Sequence, residues 1–203
     1  MTINGSGTIT GLSAGGLPAN SITSASIADN AITSGKLASG VGGKILQVVE
    51  ATHSTEVSST SKTMADTGLT ASITPASGSK VLIYVSQSFR QYRNRGSTNN
   101  MGFGMNLLRG STIIMASKRN DNDEFNDHYL SNTSVNNVVL RHSMNFLDDS
   151  PGGNGSTAIT YKTQFACTTT DDSGQVWAQP SWEGQNQAPT SYITLMEISG
   201  GVT

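Results

Sequence analysis

Lys80-Val81-Leu82-Ile83-Tyr84-Val85-Ser86-Gln87-Ser88-Phe89 is the stretch whose reading decides the fold. Val, Ile, Tyr and Phe dominate it, the types that suit a pleated, half-buried surface. Val81, Ile83, Val85 and Phe89 share parity. Side chains alternate across a strand, so this parity predicts one face turned into a core. Similar signals recur on both sides. Toward the N-terminus, Pro75-Ala76-Ser77-Gly78-Ser79 reads as a turn, Met64 to Ile73 and Glu56 to Thr60 as polar strands, and Lys44 to Glu50 as a first strand. Toward the C-terminus, Met101, Phe103, Met105 and Leu107 fall on one side of a strand, and Arg109-Gly110-Ser111 turns back into Thr112 to Ala116. Residues 120–134 read as a polar loop, Val135 to Phe146 as a strand pair or one long strand, and Asp148 to Gly155 as a tight turn cluster. Ile159 to Cys167 alternates again, with Ile159, Tyr161, Phe165 and Cys167 on one face. A loop rich in Gly, Gln and Pro follows Trp177, and Ser191 to Ile198 closes the domain.

No amphipathic helix longer than a turn or two interrupts these eight to ten strands. The expected fold is all-β. Two packed antiparallel sheets are the natural solution, and strand number and spacing fit a jelly-roll-like β-sandwich. Gly40-Val41-Gly42-Gly43 marks its N-terminal boundary, giving a head domain over 41–203 and a different segment over 1–40.

Composition points the same way. Ser, Thr, Asn and Gly fill 90 of 203 positions, while charged residues make up only 13%. A typical domain is about 25% charged. Helix-rich chains use more Ala, Leu, Glu and Lys, whereas these small polar types populate turns and exposed strands. A net charge of -2 with 12 Lys+Arg offers no general field for nucleic acid. Cys167 is the single cysteine, so no intrachain disulfide forms. No run approaches the roughly 18 apolar residues of a membrane helix, so membrane insertion is not expected. The N-terminus lacks the basic and apolar regions of a secretory signal, so a protein working outside a cell would leave by another route, of which lysis of the producing cell is one.

The first 40 residues carry a different period. Leu12, Leu17, Ile22, Ile27, Ile32 and Leu37 fall five apart among Ala, Gly, Ser, Thr, Asn and Asp. Five is neither the helix nor the strand period. One large apolar residue in five cannot build a monomeric core, because each unit is too thin to bury its own side chain. A flexible linker is the bland reading. The expected one is an extended stalk or docking segment over 1–40, in which identical chains wind around an axis and bury these residues in layers or fit them into a partner's grooves.

Three stretches together resemble short tail-fibre or fibre-like structural proteins of bacteriophages, especially phages of marine bacteria and cyanobacteria. They are Ile27 to Ala38; Gly43 to Val49 with Asp66 to Pro75 and Ser79 to Ile83; and Ser191 to Ile198. The resemblance implies a virion component, usually a homotrimer. Its N-terminal part would attach to other tail or fibre proteins, and its C-terminal head would meet the host surface. It places the protein on the virion, and outside the host after lysis. The chain is shorter than many tail fibres, which suits a fibre tip, a short side fibre or an adaptor connecting other fibre proteins.

Candidate sites divide by chemistry. Trp177, Trp182 and Tyr192 offer flat apolar faces, and Gln179 and Gln185 offer amides, a combination suited to carbohydrate. Packing in a core or between subunits is an equal reading of the tryptophans. Arg90-Gln91-Tyr92-Arg93-Asn94-Arg95 is the only basic cluster; Arg93 could meet an anionic sugar or a protein there. Asp121 to His128 packs acids and amides, but Asn126 and Asn132 stand where a calcium loop needs Gly and Glu, so it reads as a solvated loop. His53, His128 and His142 lack zinc spacing, although a threefold axis could gather three copies of one of them around an ion. No nucleophile elbow or phosphate loop appears. The expectation is a binding and structural protein with no cofactor, no metal and no catalytic residues. A carbohydrate-binding receptor-recognition module is the alternative function.

Overall fold

The computed structural model describes residues 2–3, 9–10, 22–29, 31–32, 36, 44–93, 101–117, 127–130, 137–169, 174–181 and 189–200. The chain divides into two compact units, Met1–Gly43 with Val202–Thr203, and Lys44–Gly201. In the first, β1 (Thr2–Ile3) pairs antiparallel with β2 (Ile9–Thr10). A 3-10 turn spans Ser24–Ser26. Ser26 N donates to Thr23 O at 2.9 Å, and the Thr23 and Ser26 hydroxyls lie 3.1 Å apart. Such local side-chain bonds compete with extended backbone.

Among its described residues the second unit carries eleven strands in two antiparallel sheets: β3 (Ile45–His53), β4 (Val57–Ser59), β5 (Ala65–Ile73), β6 (Lys80–Arg93), β7 (Met101–Arg109), β8 (Thr112–Met115), β9 (His128–Leu130), β10 (Asn137–Asp148), β11 (Ile159–Thr169), β12 (Gly174–Ala178) and β13 (Ser191–Ile198). The long strand β6 organises the first sheet. β10 pairs along one whole edge, from Asn137 opposite Tyr92 to Asp148 opposite Val81. The other edge is shared: β13 covers Lys80 to Ser86, and β12 covers Phe89 to Arg93. β3 then pairs with β13, and β4 with β12. In the second sheet the order is β5, β11, β7, with β8 and β9 sharing the outer edge of β7.

Counting β3 with β4, β8 with β9 and β12 with β13 as single rows gives eight rows in chain order. The first sheet then runs sixth, third, eighth, first, and the second runs second, seventh, fourth, fifth.

The parity of β6 decides what fills the interior. Val81, Ile83, Val85 and Phe89 are buried, and they meet Leu69, Ile73, Phe103, Met105, Leu107, Tyr161, Phe165, Ile193 and Leu195 in one cluster. Phe89 packs against Phe103 and Phe165 with ring centroids 4.7 and 6.0 Å apart. Each such fully buried side chain contributes about 1.5–3 kcal/mol. The strand β7 departs from simple alternation, because Gly102, Gly104, Asn106 and Leu108 are buried as well as their inward neighbours. Over this outer face Ser117 N donates to Asn106 Oδ1, and Asp127 Oδ2 accepts from Met105 N.

Two elements are absent from the sequence reading. β9 lies inside the expected loop at 120–134, and β12 includes Trp177 itself. Val135 to Phe146 resolves into the single strand β10 over its described part.

Candidate functional site

The outer face of the first sheet carries the most chemically distinctive surface among the described residues. Inward residues of β6 have odd numbers, so the even ones face out, and antiparallel register places their partners beside them. Four rows matter. Glu50, Thr194, Tyr84 and Asn145 form one; Thr52, Tyr192, Ser86 and Ser143 form the next. Arg141 stands opposite Ser88 beyond them. Ser58, Trp177, Arg90 and Val139 form a further row, followed by Gln175, Tyr92 and Asn137.

Two cation–aromatic groups result. Arg141 leans back over β6. Its Nη1 donates to Ser86 O and Oγ at 3.3 and 3.2 Å, and its Nη2 donates to Thr190 O at 3.1 Å. Its guanidinium sits 5.6 Å from the Tyr192 ring centre. At the other end Arg90 lies 4.6 Å over Trp177 and 5.9 Å from Tyr92, with Nε donating to Asn137 Oδ1 at 3.1 Å. Tyr92 meets Trp177 edge-on at 6.3 Å. A shallow groove of about 230 Å³ opens beside the first group, lined by Tyr84, Ser86, Ser143, Asn145, Tyr192 and Thr194.

The site residues expected from sequence are distributed unevenly. Trp177 and Tyr192 share this outer face, in separate rows. Arg93 and Gln179 face the interior and are 1% and 0% exposed, so in a single chain they present no surface to a sugar. Strand alternation splits the basic cluster, turning Arg90 and Tyr92 out and Gln91 and Arg93 in. Trp182, Gln185, Leu12, Leu17 and Leu37 lie outside the described residues, as do 121–126 of the acidic loop. Ile22, Ile27 and Ile32 are 55%, 39% and 51% exposed. Tyr84 and Arg141 are not among the site residues expected from the sequence. The outward parity of Tyr84 was a usable signal; the position of Arg141 depends on register, which no local pattern gives.

Gln179 has a different role. It is the one described non-glycine residue with positive φ, at 51°, and sits where the β12–β13 row is interrupted. A buried chain of hydrogen bonds runs through it. The Thr67 and Thr163 hydroxyls lie 2.6 Å apart, and Thr163 Oγ1 donates to Gln87 Oε1 at 3.0 Å. With its amide oriented to satisfy both ends, Gln179 Oε1 accepts from Gln87 Nε2 at 2.6 Å and Ser191 Oγ at 3.1 Å, and its Nε2 donates to Thr67 O at 3.2 Å. Ser191 Oγ accepts from Ser88 N at 3.1 Å. Buried polar groups need such partners.

The histidines line the interior edge. His128 Nδ1 lies 2.6 Å from Gln91 Oε1, and its ring stacks on Phe103, which His142 meets edge-on. Burial, and then His142, hold His128 below the usual histidine range. Burial pushes the Cys167 thiol up to about 12, far from a reactive thiolate. Asp148 accepts from Arg109 Nη1 and from Tyr161 Oη, each at 2.8 Å, tying β10 to the second sheet. Burial, and then Asp148, raise the Tyr161 hydroxyl well above its usual range. Among the described residues, no three His, Cys, Asp or Glu side chains converge to hold a metal ion, and no helix is long and apolar enough to cross a membrane.

No protein-family model matches the chain, and no curated protein matches it significantly.

Proposed function

We propose that the protein is a bacteriophage virion structural protein, a short tail fibre or fibre tip that works as a homotrimer. Residues 1–40 are its stalk or docking segment, and the sandwich is its head, contributing to host attachment. The head is a jelly roll in this reading, and the order of its eight rows supports that name, as does the pairing of first with last row. The observation that carries the proposal is the exposure of Ile22, Ile27 and Ile32 at a spacing of five, in a chain whose second unit has its own packed core. Aliphatics repeated in this way call for a partner surface outside the single chain. The resemblance in Ile27 to Ala38 and in the β3, β5, β6 and β13 sequences supplies the class of particle.

Deleting residues 1–40 tests it. The expected product is a folded monomeric sandwich that no longer enters phage particles, where the full chain sediments as a trimer and is incorporated. Unchanged incorporation of the deleted chain would sink the docking role.

A carbohydrate-binding receptor-recognition module is the second reading. It is favoured by the exposed Tyr192 and the Arg90–Trp177–Tyr92 group on one sheet face. An adaptor between other fibre proteins would show normal incorporation and no role in adsorption.

A further inference from the structure

The groove beside Arg141 has the parts of a small-ligand site. Tyr84 and Tyr192 stand in adjacent rows, 45% and 39% exposed. The Tyr84, Tyr192, Ser143 and Asn145 side chains line the groove and make no hydrogen bond within the described protein, so several donors and acceptors face it unengaged. Its volume of about 230 Å³ is below the roughly 300–1,000 Å³ of drug-sized pockets, a scale suited to one ring at a time.

Arg141 adds charge. A guanidinium has five N–H donors. Its three hydrogen bonds, all to uncharged oxygens of Ser86 and Thr190, leave at least two donors free. Those bonds and the Tyr192 ring hold the plane in place, so little side-chain freedom is lost when an anion arrives. Arg141 has no carboxylate partner among the described residues. Glu50 stands two rows away, bonded to Thr194 Oγ1 at 3.4 Å. A carboxylate in the groove is therefore drawn to the Arg141 end and repelled from the Glu50 end.

We infer that this groove binds an acidic sugar, with its carboxylate on Arg141, a ring face against Tyr192 or Tyr84, and hydroxyls on Ser143 and Asn145. A neutral hexose lacks the first contact, and a bare anion lacks the others. The inference deepens the host-attachment reading by naming a ligand class, but it is tested on the isolated full chain, so loss of particle incorporation and loss of sugar binding are separate results.

The experiment is a ligand-observed NMR titration with glucuronate, glucose and acetate, on the full chain and on Arg141→Gln, Arg141→Lys and Tyr192→Ala. Thermal melting checks that each variant folds. Glucuronate is expected to bind, with glucose and acetate at least tenfold weaker. Arg141→Gln and Tyr192→Ala should each lower glucuronate affinity tenfold or more, and Arg141→Lys less. Three outcomes overturn the inference: no glucuronate binding, equal binding of glucose or acetate, or binding unchanged in folded Arg141→Gln.

Discussion

Gly68 shows how much one residue can carry. It lies in a bulge, since Asp66 and Thr70 pair with Gln164 and Lys162 across an uneven gap. Its φ is +85°, a region other residues adopt only with strain. A Cβ placed there would collide with the His53 ring. On either side of it Thr67 and Leu69 point inward, one into the polar chain and the other into the core. Gly68→Ala is expected to cost about 1–3 kcal/mol from backbone strain alone, and more from the collision. Urea denaturation would measure this, and His53→Ala in the same chain should recover only the collision part. The sequence offered Gly68 inside a polar strand; it offered no sign of His53, because that contact comes from the other sheet.

At the scale of elements, strand parity was legible and register was not. The inward set of β6 was readable at Val81, Ile83 and Val85. Gln87, Gln91 and Arg93 occupy the same inward parity and are buried, against the apolar pattern. Gln87 is explained by the interrupted row beside it, where β12 and β13 part and leave backbone and side-chain groups to be satisfied. β9 and β12 escaped notice because they are short, and their pairing with longer strands supplies what their own sequences lack. Half of the candidate site was visible for the same reason: Trp177 and Tyr192 announce themselves as aromatics, while Arg141 gains meaning only from lying across from Ser88. The polar chain makes a sharp prediction. Thr163→Val keeps the shape but leaves Gln87 Oε1 without the Thr163 hydroxyl, while Thr67 Oγ1 keeps Thr163 O and Leu69 N. The expected loss is about 1–3 kcal/mol, read by chemical denaturation, where an exposed control such as Thr160→Val should cost much less.

At the scale of the whole second unit, Glu197, Asp66 and His128 respond to acid with one sign. Burial pulls the Glu197 carboxyl up, but hydrogen bonds from Ser79, Gln47 and Ala76 outweigh it and hold it below the usual range. Gln47 Nε2 and Ala76 N reach it at 2.7 and 2.8 Å, joining β13 to β3 and to the turn between the sheets. Hydrogen bonds from Lys162 and then Gln164 hold Asp66 low as well. A depressed carboxyl takes up its proton later in the folded than in the unfolded chain, so its stabilisation is present above the carboxylate range and is lost as pH falls through it. His128 is depressed too, so the unfolded chain takes its proton first, and stability falls as pH drops below the ordinary histidine range. Melting temperature should therefore decline in two steps from neutral to strongly acidic pH. Glu197→Gln should flatten the lower step, and His128→Gln the upper. A melting temperature that stays level over that range would show that these contacts do not govern stability.

The break between β12 and β13 has a further consequence, for protein engineering. Ala178 is held opposite Phe89, and Tyr192 opposite Ser86, each by its own ladder on the same strand. Neither register depends on how many residues join them. Lengthening a connection costs free energy only slowly. A foreign peptide grafted between Ser181 and Pro189, clear of Gln179, would thus be displayed from two fixed anchors without moving the sheet beneath it.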